Sequence, residues 1–106
     1  MRLSRKNAIK LCIEVWTWCA ETGKPKEDWP EWDKYGDIDN DCWFCEYDEQ
    51  QKKKKRLQSC CGDCPLKIKL GHYCSKTAFG YWVKVETIED RKKYAKLFLA
   101  QIKTLV

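Results

Sequence analysis

A chain of 106 residues has room for one core rather than two. Its mean hydropathy of −0.71, its 35% of charged residues and the want of any run near ~18 apolar residues exclude a membrane span. The net charge of +5 conceals opposed segments: residues 27–49 hold ten acids against Lys34, whereas residues 50–84 hold nine bases against Asp63. Such segments either fold against each other or face different partners.

From Arg5 to Thr22 the positions Ala8, Ile9, Cys12, Ile13, Val15, Trp16, Cys19 and Ala20 follow helical spacing, with Gly23 and Pro25 as a stop. Leu11 and Trp18 widen the stripe, so this first helix meets more than one neighbour. Arg2, Arg5, Lys6 and Lys10 ahead of Leu11–Ala20 imitate a secretory signal, but Glu14 interrupts the run and no small-residue cleavage site closes it, so the expectation is a soluble, cytoplasmic chain. Residues 23–41 combine Gly, Pro and Asp into an ordered loop anchored by Trp29 and Trp32. A second helix is expected from about Trp43 to Gln58, supported by Asp48–Lys52 and Glu49–Lys53 at i, i+4. Beyond it the chain is turn-rich, with at most a short β-hairpin or strand near Leu66–Leu70 or Tyr81–Val85. Thr87-Ile88-Glu89-Asp90 then has the form of a capping box, and Tyr94, Leu97, Phe98, Gln101, Ile102 and Leu105 share one face of a last helix. The expected architecture is therefore mainly α, one small domain over residues 1–106, with about three helices.

Five of the eight cysteines fall between Asp41 and Leu66. Cys42-Trp-Phe-Cys45 and Cys61-Gly-Asp-Cys64 are CxxC pairs with fifteen residues between them. Two thiolates three apart bend round one ion at ~2.3 Å each, and a second pair completes the tetrahedron Zn²⁺ accepts. The expected metal set is Cys42, Cys45, Cys61 and Cys64, with Cys60, Cys74 or His72 as substitutes. Rival readings are a disulfide framework, buried thiols and an iron–sulfur cluster. Cys12 and Cys19, seven apart on the first helix, read as core thiols. A closed four-sulfur site leaves no position for a reacting water, and His72 shows no nucleophile to serve, so no enzyme is expected.

Three partner classes fit the remaining residues. Trp29, Trp32, Trp43 and Tyr47, interleaved with acids, suit a contact surface for a protein, unless the rings only pack around the metal. Lys52, Lys53, Lys54, Lys55, Arg56, Lys67 and Lys69, with Tyr73, Tyr81 or Trp82 to stack on bases, suit a nucleic acid instead. A small signalling nucleotide is the third, without any glycine-rich phosphate loop.

The succession WTWCAETG, KEDWPEWDKYG, NDCWFCEYD, CGDCPL and EDRKKYAKLFLAQI resembles small cysteine-rich, zinc-knuckle proteins of tailed phages of Gram-positive bacteria. The resemblance covers most of the chain and brings no established activity. It implies a cytoplasmic accessory phage product that binds a host protein, or a signalling nucleotide, to disable it. The doubled Cys60-Cys61 departs from a simple knuckle.

Overall fold

The computed structural model describes residues 3–35, 42–55, 64–71 and 76–105. Five α-helices follow in chain order: α1 (Arg5–Thr22), α2 (Trp43–Lys55), α3 (Pro65–Leu70), α4 (Ala78–Trp82) and α5 (Ile88–Lys103). Two 3₁₀ turns, Lys26–Asp28 and Pro30–Tyr35, stand between α1 and α2. The mainly α expectation holds, and among the described residues there is no strand.

Local chemistry explains the two long helices. Ser4 caps α1 by accepting the N–H of Asn7 at 3.1 Å, and Gly23 ends it in the left-handed region at φ 71°, donating to the Cys19 carbonyl at 2.9 Å. Thr87 caps α5 by accepting the N–H of Asp90 at 3.2 Å. The end of α1 meets the start of α5, where Gly23 lies against Ile88, so the two helices run antiparallel. Ala8 and Cys19 of α1 and Ala95 of α5 are wholly buried. Trp16 of α1 is the hub of this layer: Phe98 of α5 and Trp82 and Phe79 of α4 meet it edge-on at 4.7, 4.8 and 5.8 Å between centroids. Gln101 of α5 accepts the N–H of Ala78 at 3.0 Å and so fastens the first turn of α4.

α1 also packs against α2. Leu3 N–H donates to Gln50 Oε1 at 2.7 Å, whereas Cys12 lies at the level of Trp43 and Phe44, so α2 also runs antiparallel to α1. The wide apolar stripe of the first helix thereby meets more than one neighbour.

The structure corrects both expected strands. Leu66–Leu70 lies in α3, whose N-cap is Cys64, whose first residue is Pro65 and whose end is Gly71 at φ 73°. Its LKIKL pattern alternates as a strand would, yet Leu66 and Leu70 also stand at i, i+4. Leu66 is buried, Leu70 half-buried, and Ile68 on the far side is 65% exposed. Tyr81 and Trp82 belong to α4, which Thr77 caps by accepting the N–H of Phe79 at 3.3 Å, and Val83 follows as a turn. Against the expected three or so, the described residues form five α-helices. The described part of the second helix ends at Lys55, and Gln58 lies outside the described residues.

Candidate metal centre and contact surfaces

The start of α2 presents sulfur to backbone amides. Cys42 immediately precedes the helix, and its Sγ accepts the N–H of Cys45 at 3.3 Å. The Cys45 thiol donates to the same sulfur, and the N–H of Phe44 adds to it. These bonds, foremost the one from the Cys45 side chain, lower the Cys42 thiol to about 7 against the opposing effect of burial, with the Lys26 ammonium contributing in the same sense. Cys64 occupies the corresponding place at α3, where it is the N-cap residue and is buried.

Cys12 approaches this group from α1. The backbone amides of Trp43 and Phe44 favour its ionised form, and it lies within electrostatic reach of both Cys42 and Cys64. Burial first, and then the Cys42 sulfur, push its thiol well above the ordinary range. Its reading as a bare core thiol is therefore incomplete, because its neighbours are sulfur and amide as well as hydrocarbon. The sequence offered no signal for this, since helical spacing places Cys12 on a buried face without saying what covers it.

Of the expected metal set, Cys42, Cys45 and Cys64 are described, and Cys61 with its substitutes Cys60, His72 and Cys74 lies outside the described residues. Among the described residues no group of three or more His, Cys, Asp and Glu side chains is placed, as it stands, to hold an ion. No disulfide joins any two of the described cysteines.

The four aromatic anchors do not form one surface. Trp29 is 5% and Trp43 1% exposed, whereas Trp32 and Tyr47 are half-buried. The rings bury one another: Trp29 meets Trp32 edge-on at 4.9 Å, Trp32 stacks on Trp43 at 5.3 Å, and Tyr35 meets Trp43 edge-on at 5.0 Å. Trp32 also donates its indole N–H to the Lys26 carbonyl at 2.8 Å. Trp29 and Trp43 are thus core residues and not contact anchors. Around this nest the carboxylates of Glu27, Asp28, Glu31 and Asp33 are exposed. Of the basic set, Lys52 to Lys55 fall at the end of α2, Lys67 is half-buried and Lys69 exposed on α3, and Arg56 lies outside the described residues.

Cys19, one helical heptad beyond Cys12, has no sulfur among the groups that act on it. Burial, and then the Glu27 carboxylate, push its thiol up to about 12, while Lys26 acts in the opposite sense. A group that holds its proton longer when folded stabilises the fold below its unfolded value near 9 and loses that contribution as pH rises toward 12. Unfolding free energy is expected to fall by about 2 kcal/mol by about pH 10.5 on this account, and Cys19→Ala should flatten the decline. Cys12 acts in the same direction, so the slope should shrink without vanishing. Identical slopes for the two proteins in urea titrations at several pH values would show that Cys19 is not the group responsible.

No protein-family model matches the chain, and no curated protein or solved structure matches it. No helix among the described residues is long and apolar enough to cross a membrane.

Proposed function

We propose that this chain is a zinc-stabilised, non-catalytic interaction module of a phage, which binds a host protein in the cytoplasm of the infected cell. The observation that carries the zinc reading is the placement of Cys42 and Cys64 at the starts of two helices, with the Cys45 amide bonded to the Cys42 sulfur. Zinc binds thiolate rather than thiol, and amide donors, a helix N-terminus and the nearby Lys26 all favour the ionised sulfur. Bound there, the ion supplies a cross-link between α2 and α3, with four sulfur donors filling its coordination and leaving no place for a reacting water. The phage origin rests on the sequence resemblance.

For the contact surface, the two 3₁₀ turns take the place of the four-ring patch. Glu27, Asp28, Glu31 and Asp33 surround the half-exposed edges of Trp32 and Tyr35, a combination that suits a basic partner protein. The pair Lys34–Glu31 at 3.6 Å is exposed and holds little energy, so it is available for exchange with a partner.

Protein purified without chelator should contain one zinc per chain by elemental analysis. The intact chain should retain a specific protein from host lysate, and retention should drop about tenfold when Glu27, Asp28, Glu31 and Asp33 are replaced by Lys. No metal, together with a mass lower by ~2 Da per bridge, would mean disulfides and would sink the zinc reading. Salt-sensitive retention of nucleic acid in place of a protein would transfer the function to the lysines of α2 and α3.

A further inference from the structure

We propose that Cys42 and Cys45 form a reversible dithiol–disulfide pair at the start of α2, which exchanges with low-molecular-weight disulfides of the glutathione class. The pair does not depend on the zinc reading, although it uses two of the same sulfurs.

Cys42 caps α2 with both its backbone and its side chain. Its carbonyl accepts the N–H of Glu46 at 2.9 Å, and its Sγ accepts the N–H of Cys45 at 3.3 Å. The cap therefore holds the first sulfur over the opening turn of the helix, against the backbone of the second cysteine. Residues three apart on a helix have Cα atoms about 5 Å apart, inside the roughly 4.4–6.8 Å that a disulfide spans, so the bond closes by side-chain rotation with the backbone in place. Access favours the same two residues. Trp43 and Phe44 between them are 1% and 3% exposed, so the core takes the middle of the motif and leaves Cys42 and Cys45 half-buried, within reach of a small molecule. The other described cysteines, Cys12, Cys19 and Cys64, are buried. Cys12 and Cys19 are also seven apart on α1, about 10 Å along its axis, which is too far to join.

The exchange runs in two steps. The Cys42 thiolate attacks one sulfur of the small disulfide and breaks its S–S bond; a mixed disulfide forms, and the other half leaves as a thiolate that takes up the proton Cys42 gave away. Cys45 then loses its proton, attacks the Cys42 sulfur and expels the second half, which is protonated in turn. The two protein thiols give up two electrons and two protons, and the small disulfide is reduced to two thiols. Cys42 reacts first because an amide donor and the start of a helix both favour negative charge on its sulfur, whereas Cys45 lies inside the first turn. A zinc ion held by these sulfurs would be released as they are oxidised, since its ligand is thiolate and not disulfide.

The test incubates the full chain, as purified, in buffers of stepped reduced-to-oxidised glutathione ratio, then alkylates the remaining thiols and maps them by peptide mass spectrometry, with zinc content read in parallel. A bridge between Cys42 and Cys45, lighter by ~2 Da than the dithiol, is expected to form at oxidising ratios and to open again at reducing ones. Cys19, wholly buried, should stay unmodified throughout and so report that the helices remain assembled. Cys45→Ser should stop at a glutathione mixed disulfide on Cys42, formed about tenfold faster than the one on Cys45 in Cys42→Ser. Equal rates would overturn the assignment of Cys42 as the attacking sulfur, and the wild-type titration decides the pair itself if neither variant folds. A bridge that forms as zinc is lost supports the pair and the zinc reading together, and a bridge in a chain that never held zinc supports the pair and sinks the zinc reading. Both cysteines recovered as thiols at every ratio, or either one bridged to a different cysteine, overturns the pair; zinc still bound to those thiols leaves the zinc reading standing, and no zinc overturns both.

Discussion

Trp16→Ala is expected to cost about 3–5 kcal/mol of unfolding free energy, a large share of the roughly 5–15 kcal/mol that holds a domain of this size folded. The indole is buried, and three rings from two other helices meet its faces and edge. Truncation removes the contact surface of all three partners at once. Part of the loss exceeds simple area burial, because each edge-on ring pair adds about 0.5–1.5 kcal/mol. The measurement is urea unfolding of the variant beside Tyr81→Ala. Tyr81 is largely exposed and stacks on Tyr94 at 5.6 Å, so its removal should cost less than about 1 kcal/mol. A loss of similar size for the two would show that α4 is not packed on Trp16.

Gly23→Ala should follow at about 2–4 kcal/mol. A side chain at φ 71° sits in the left-handed region, which costs about 1–2 kcal/mol in a residue other than glycine. The added Cβ would also stand 2.5 Å from Ile88 Cγ2 and 3.0 Å from the Ile88 carbonyl oxygen. The methyl belongs to an exposed side chain and can turn away, but the carbonyl belongs to the first turn of α5 and cannot move without it. Ile88→Ala is therefore expected to rescue part of the Gly23→Ala loss and not all of it. Additive effects in that double-mutant cycle would mean that the end of α1 and the start of α5 do not touch.

How far such features can be read from the sequence depends on whether their causes are local. The bounds of α1 and α5 are legible because Ser4, Gly23 and Thr87 act on residues within four positions of themselves. The same kind of signal marks α3, with Pro65 at its first position and Gly71 just past its end, but the alternation of Leu66, Ile68 and Leu70 points to a strand and hides it. Trp29 and Trp43 look like anchors because they stand among acids. Their burial is decided by Trp32 and Tyr35 folding over them through two 3₁₀ turns, which composition does not encode. The CxxC at Cys42 and Cys45 is visible as a candidate pair from spacing alone. The company Cys12 keeps is a different matter, since it depends on α1 lying antiparallel to α2, a contact between residues some thirty positions apart.

Eight of the rings form two nests, Trp29, Trp32, Tyr35 and Trp43 beside the cysteines and Trp16, Phe79, Trp82 and Phe98 within the bundle. Indoles whose centres are 4.8 to 5.3 Å apart share their electronic excitation, so each nest contributes its own exciton couplet to the ultraviolet dichroism. Helix content taken from the dichroic amplitude alone would therefore be misjudged for this protein. The same coupling makes the molecule its own two-channel optical gauge: an event at Cys42 alters the couplet that contains Trp43, while the one centred on Trp16 records whether the helices are still assembled.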